Sequence, residues 1–166
     1  MTDLPGGIQA SLFDLDGVLT KTAAVHAAAW QEMFDSSVRF LQAVQQAGLC
    51  RAVVSSSANT AQVLKVAGLA RFFEVRVDGI TIAQRHLRGK PAPDTFLDAA
   101  RQLDVESAHA AVFQVALAGV AAGRAGRFSY SVGVDRVGHA RALAEHGADR
   151  VVPDLSELLG QRAGPR

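Results

Sequence analysis

One cysteine, Cys50, is too little for an internal disulfide, and no Cys/His cluster offers a structural zinc site. Charge of one sign is lacking too. The formal net charge is +1, and the 17 basic residues (14 Arg, 3 Lys) do not cluster. A nucleic-acid surface needs a concentrated basic patch, so nucleic acid is not an expected partner. No apolar run approaches the roughly 20 residues of a membrane span. Met1 to Gly7 lacks the basic-then-apolar pattern of a secretory leader, so a cytoplasmic location is the default expectation. There is no internal repeat. What is present is a chain of 166 residues, 49% hydrophobic and only 20% charged, which suits one compact domain with a substantial core. Cys50 reads as buried filler, and the Gly/Pro/Arg-rich tail Gln161 to Arg166 is expected to fray.

Short apolar runs alternate with helical patterns. Ile8 to Leu15, Cys50 to Ser55, Ala110 to Val115, Phe128 to Val134 and Asp149 to Val152 read as strands, and Phe72 to Val77 is expected to hold a short extended piece. Ala23 to Phe34 and Val38 to Ala47 read as two helices, the second stopped by Gly48. Asn59 can cap a helix running to about Ala67, and Pro93 and Asp94 open another. Leu117 to Gly123 and Gly138 to Glu145 read as further helices, with a last turn at Leu155 to Leu159. This alternation predicts an α/β domain, a mostly parallel sheet with helices on both faces.

Ligands of such sheets bind beyond the carboxyl ends of the strands. Four segments converge there. Asp14 and Asp16, in Phe13-Asp14-Leu15-Asp16-Gly17-Val18-Leu19-Thr20, supply a candidate nucleophile and a candidate general acid/base. A carboxylate attacks a phosphate dianion only where cations neutralise the phosphoryl oxygens. Ser55 can donate to such an oxygen, and Ser56, Ser57 and the helix start at Asn59 add polar groups; the bland alternative is a capped strand-to-helix turn. Lys90, between Gly89 and Pro91, is a point charge suited to phosphate. His26 could orient Asp16 or merely pack. Trp30 and Phe34, one turn apart, read as packing or junction residues. Gln114 and Val115 end a strand without an acid, where a metal would want one.

Phe13 to Thr20, Val53-Val54-Ser55-Ser56-Ser57 and Gly89-Lys90-Pro91-Ala92-Pro93-Asp94 resemble, in order, the first three motifs of the haloacid dehalogenase superfamily. Gly119 to Gly123 and Val132-Gly133-Val134-Asp135 read like its β-phosphoglucomutase-like branch. The resemblance covers nearly the whole chain. It implies a three-layer Rossmann-like core and hydrolysis of phosphate monoesters through an aspartyl-phosphate. By the resemblance Asp14 is the phosphoryl acceptor, Asp16 the acid/base and His26 its support. Ser55 and Lys90 hold the phosphoryl group, and the Asp14 carboxylate and the Asp16 backbone carbonyl bind Mg²⁺. The substrate would be a small phosphorylated molecule.

This sequence departs from the family pattern in four respects. Gln114 and Val115 replace the acidic pair of the fourth motif, which implies weak or absent magnesium binding. Lys21 stands where the family has an acid. The stretch Lys21 to Leu49 is too short for the branch's helical cap domain, so a single core domain over residues 1–166 is expected, with the junction near 34–37. Ala58 stands where some mutases carry a basic residue. The expectation is therefore an impaired hydrolase, the alternative being a non-catalytic or regulatory relic that binds phosphate or a protein. An apolar face left by the cap would suit a homodimer.

Overall fold

Six apolar runs become the strands of one sheet: β1 (Ala10–Asp14), β2 (Cys50–Val54), β3 (Val75–Val77), β4 (Ala110–Gln114), β5 (Tyr130–Val134) and β6 (Arg150–Val152). The structure is a computed structural model that describes residues 1–16, 18–19 and 27–160, with the side chains of 27–30 excepted. Gly17, Thr20, Lys21, His26, the Trp30 side chain and the tail 161–166 lie outside the described residues.

The spatial order is β3-β2-β1-β4-β5-β6, and every strand pairs in parallel with its neighbours. The sheet is thus wholly rather than mostly parallel, apart from an isolated antiparallel bridge between Thr2 and Leu159. Chain direction along the order reverses between β1 and β4, the switch point beyond whose strand ends such sheets bind their ligands.

Successive side chains of a strand face opposite sides, so two cores form. Phe13 and Phe113, partners in the β1–β4 register, stack at 4.5 Å, and Phe40 meets them edge-on. This core also holds Leu41, Val44, Leu155 and Leu158. On the other face Ala10, Leu12, Ala52, Val54 and Val112 pack with Phe96 and Phe128.

The helices are α1 (Ala27–Gln46), α2 (Thr60–Val66), α3 (Gly79–Arg85), α4 (Asp94–Gln102), α5 (Leu117–Ala125) and α6 (Ala140–Glu145). Two corrections to the sequence reading follow. The two helices expected on either side of Asp35-Ser36-Ser37 are one continuous helix of 20 residues. Serines compete with helix by bonding backbone, but here they bond within it: Ser36 Oγ donates to Glu32 O at 2.9 Å, and Ser37 Oγ lies 2.9 Å from Met33 O. Ser37 Oγ is also 3.1 Å from Val18 O, tying α1 to the loop after β1. Second, α3 was not foreseen. Asp78 opens it, accepting from Ile80 N at 3.1 Å and Thr81 N at 3.0 Å.

Candidate active site

Asp14 is the last residue of β1 and Gln114 the last of β4, side by side at the switch point. Strand parity places both on the face of Leu12 and Val112, where α4 packs with Phe96. Lys90 reaches the same spot from the loop before α4. Its Nζ lies 3.2 Å from Asp14 Oδ1, 3.3 Å from Gln114 Oε1 and 5.1 Å from the Phe96 ring centroid. The loop that carries it is closed by Arg88 and Asp94: Arg88 N and Nε donate to Asp94 Oδ2 at 3.1 and 3.0 Å, and Nη2 to Oδ1 at 2.8 Å.

Both polar contacts of Asp14 among the described residues use Oδ1, which also accepts from Leu15 N at 3.0 Å. Among the described residues no polar partner falls on Oδ2. Asp14 is largely buried, and burial pushes its carboxyl above the ordinary aspartate range. The Lys90 ammonium and the Leu15 amide pull it down without cancelling that effect, and Asp16 adds a smaller upward push.

Gln114 is fully buried. Its Nε2 donates to Phe113 O at 2.9 Å, which leaves Oε1 turned toward Lys90. A Cβ on residue 119 would stand 1.7 Å from that oxygen, so the side chain fits only because Gly119 has none. Val115, one residue on, falls on the opposite face and packs against the Phe13–Phe113 core. The two degenerate fourth-motif positions therefore have different surroundings, Gln114 beside Lys90 and Val115 against the Phe13–Phe113 core.

Of the remaining predicted residues, Ser55, Ser56 and Asn59 make no direct contact with this cluster among the described residues. Asp16 is exposed in the loop beyond β1. Ser55 is buried just past Val54, the register partner of Asp14, and its Oγ accepts from Ser57 N at 3.2 Å. Ser56 and Asn59 are exposed. Asn59 occupies the N-cap of α2 without a side-chain cap bond, a correction to its expected role. Instead Ser57 Oγ accepts from Asn59 N at 3.1 Å, and Thr60 Oγ1 donates to Ser57 O at 2.8 Å. His26 lies outside the described residues. Sequence reasoning missed Phe96, the Arg88–Asp94 clasp and Gly119; only the opposite charges of Arg88 and Asp94 flanking the Lys90 loop gave a signal.

Among the described residues no group of three or more Asp, Glu, His or Cys is placed to hold a metal ion. The donor set fits magnesium poorly. A hard cation wants several oxygens, whereas the one buried carboxylate here already faces an ammonium, and the neighbouring oxygen belongs to a neutral amide bonded to the same ammonium. A cavity of about 990 Å³ lies elsewhere, lined in part by Met33, Phe34, Arg39, Leu69 and Arg136, and none of the predicted site residues borders it. No described helix is long and apolar enough to cross a membrane.

Residues 31–127 match the model of the haloacid dehalogenase-like hydrolase family. A β-phosphoglucomutase of Mycobacterium tuberculosis (strain CDC 1551 / Oshkosh) is 57% identical over 131 residues, 77% of this chain and 50% of that protein. A trehalose-phosphate phosphatase of Mycobacterium leprae is 34% identical over 161 residues, 95% of this chain and 33% of that protein. The chain thus spans half the length of the first curated relative, or less. Its fold superposes on a hydrolase from Deinococcus radiodurans R1, solved with bound phosphate and sodium, with a TM-score of 0.73 at 24% identity over 93% of this chain and 94% of that one.

Proposed function

The chain belongs to the haloacid dehalogenase-like hydrolases, in their β-phosphoglucomutase-like branch, and on that footing we propose that it is a phosphate-monoester hydrolase of low turnover acting through Asp14. The observation that carries this reading is the 3.2 Å approach of Lys90 Nζ to Asp14 Oδ1 at the switch point, next to the strand end that presents Ser55.

In the proposed reaction the free carboxylate oxygen of Asp14 attacks phosphorus. The P–O bond to the leaving group breaks, and Asp16 protonates the departing alkoxide. Water then attacks the aspartyl-phosphate, Asp16 takes its proton, and inorganic phosphate leaves with Asp14 regenerated. Lys90 and Ser55 would orient the phosphoryl oxygens, and Lys90 would offset their charge. His26, by resemblance, would support Asp16. Magnesium, which the family generally uses, would be held weakly by Asp14 and the Asp16 carbonyl, so no step is routed through it.

Low turnover follows from charge. An anionic nucleophile approaches an anionic ester only against countercharge, and here one ammonium must serve both. We also propose that no cap domain of this chain covers the crevice, since α1 takes up Ala27–Gln46 of the stretch between Asp16 and Cys50. An open crevice excludes water poorly and contributes few substrate contacts. Small sugar phosphates are the first substrates to try, because the relatives named above are a β-phosphoglucomutase and a trehalose-phosphate phosphatase.

The test is release of a chromogenic leaving group from an aryl phosphate across a magnesium series, beside Asp14→Asn. Turnover lost in Asp14→Asn supports the reading, and turnover unchanged by it sinks it. The second reading, a phosphate-binding or regulatory protein without catalysis, is favoured by the neutral Gln114 and the inward-packed Val115. A chain that binds phosphate yet shows no Asp14-dependent turnover would select it.

A further inference from the structure

The cation at Asp14 is a side chain. Lys90 Nζ bridges two oxygens, Asp14 Oδ1 at 3.2 Å and Gln114 Oε1 at 3.3 Å, contributed by adjacent strands at the switch point. Gln114 is fixed in that role from three sides. Its amide nitrogen is anchored on Phe113 O at 2.9 Å, its body is fully buried, and the absent Cβ of Gly119 makes room for the very oxygen that faces Lys90. A neutral amide accepts from an ammonium but is a poor ligand for a hard dication, so residue 114 favours lysine over metal at this point.

We propose that Gln114 is a positioning residue that pins the Lys90 ammonium on Asp14 as its standing countercharge, so that Lys90 and a divalent cation compete for the same carboxylate. The inference goes beyond the proposed reaction, because it concerns which cation Asp14 holds whether or not phosphoryl transfer takes place. An ammonium carries three donors. Two face Asp14 and Gln114, which leaves one for an incoming oxyanion.

Calorimetric titration of the full chain with Mg²⁺ tests this, using the unmodified protein, Lys90→Met, Gln114→Met and Lys90→Met/Asp14→Asn, each checked for folding by circular dichroism. The unmodified chain should bind magnesium only weakly, with a Kd in the range of tens of millimolar or above. Lys90→Met should tighten binding by about tenfold or more, because a like charge is removed from the carboxylate. Gln114→Met, which removes the anchor but not the lysine, should give a smaller gain of the same sign, and the Asp14→Asn double variant should abolish the Lys90→Met gain. A rise in metal affinity is not what mere damage to the core would produce.

Submillimolar magnesium binding by the unmodified chain overturns the proposal, and that measurement needs no variant to fold. So does the absence of a gain in Lys90→Met, a gain in Lys90→Met with none in Gln114→Met, or a gain that survives Asp14→Asn. None of these results depends on turnover. Loss of the hydrolase reading through an inert Asp14 and loss of this one through metal affinity are therefore separate outcomes.

Discussion

The two sides of the crevice at the switch point differ in kind. On the Lys90 side a loop clasped by Arg88 and Asp94 delivers an ammonium to the strand-end carboxylate of Asp14. On the β4 side the last strand residue is a buried amide, and the next is a half-buried valine packed against the Phe13–Phe113 core. Both sides keep the backbone of the fold, so strand and helix placement does not depend on the acid at the end of β4. What the difference teaches is that a sheet can keep a lysine beside the strand-end carboxylate on one side of its switch point while the neighbouring strand ends in a neutral amide.

The largest expected effect tests whether the site works at all. Asp14→Asn removes the nucleophile and should lower turnover of an aryl phosphate by about 10⁴-fold or to background, as loss of a catalytic nucleophile does elsewhere. Initial rates with excess enzyme would show it. Next, Lys90→Met should reduce kcat/KM by on the order of 10²–10³-fold, the scale of losing a charge stabiliser. It should do so even as magnesium affinity rises, and a fall in both together would erase the contrast between the two sides.

The contrast can also be sharpened by restoring acids on the β4 side. Gln114→Glu combined with Val115→Asp should tighten magnesium binding roughly 10- to 100-fold by calorimetry. Val115 packs against the Phe13–Phe113 core, so this variant should also unfold at lower denaturant. No gain in affinity would mean that the pleat keeps residue 115 out of reach of Asp14.

The smallest effect comes from a control far from the comparison. Asp78→Ala removes the α3 cap and the partner of Arg76, whose Nε donates to Asp78 Oδ2 at 2.8 Å, and should cost about 1–2 kcal/mol in urea unfolding. Burial pushes the Asp78 carboxyl up, but hydrogen bonds from Thr81 and Arg76 outweigh it and hold it below its ordinary value. A depressed folded pKa gives stability that is present above the unfolded value, near 3.8, and is lost as pH falls through the folded one. The stability gap between the unmodified chain and Asp78→Ala should therefore close in acid, while magnesium affinity stays the same in both.

Much of this was legible along the chain. Apolar runs of strand length marked five of the six strands to within a few residues, β3 showing only as a short extended piece within Phe72 to Val77, and their alternation with helices predicted the parallel sheet. Gly48, at φ +73°, stops α1 where a residue tolerant of that conformation was expected to. Motif order placed Asp14, Ser55 and Gln114 at the strand ends and Lys90 just before a helix. Asp35-Ser36-Ser37 misled because the turn preference of such residues holds only where their side chains cannot bond back into a helix. The cap at Asp78 carried a signal that went unread among the stronger ones nearby.

The sequence alone determined which residue types stand at the mouth of the sheet, because strand period and motif spacing are local properties of the chain. Only the tertiary structure decided what they do together. The partnership of Asp14, Lys90 and Gln114 joins residues up to a hundred positions apart, and the pleat, not the spacing, turned Gln114 toward the lysine and Val115 away from it. Parity along a strand is written in the chain, but which face receives Lys90 is settled only when α4 packs on one side of the sheet and α1 on the other.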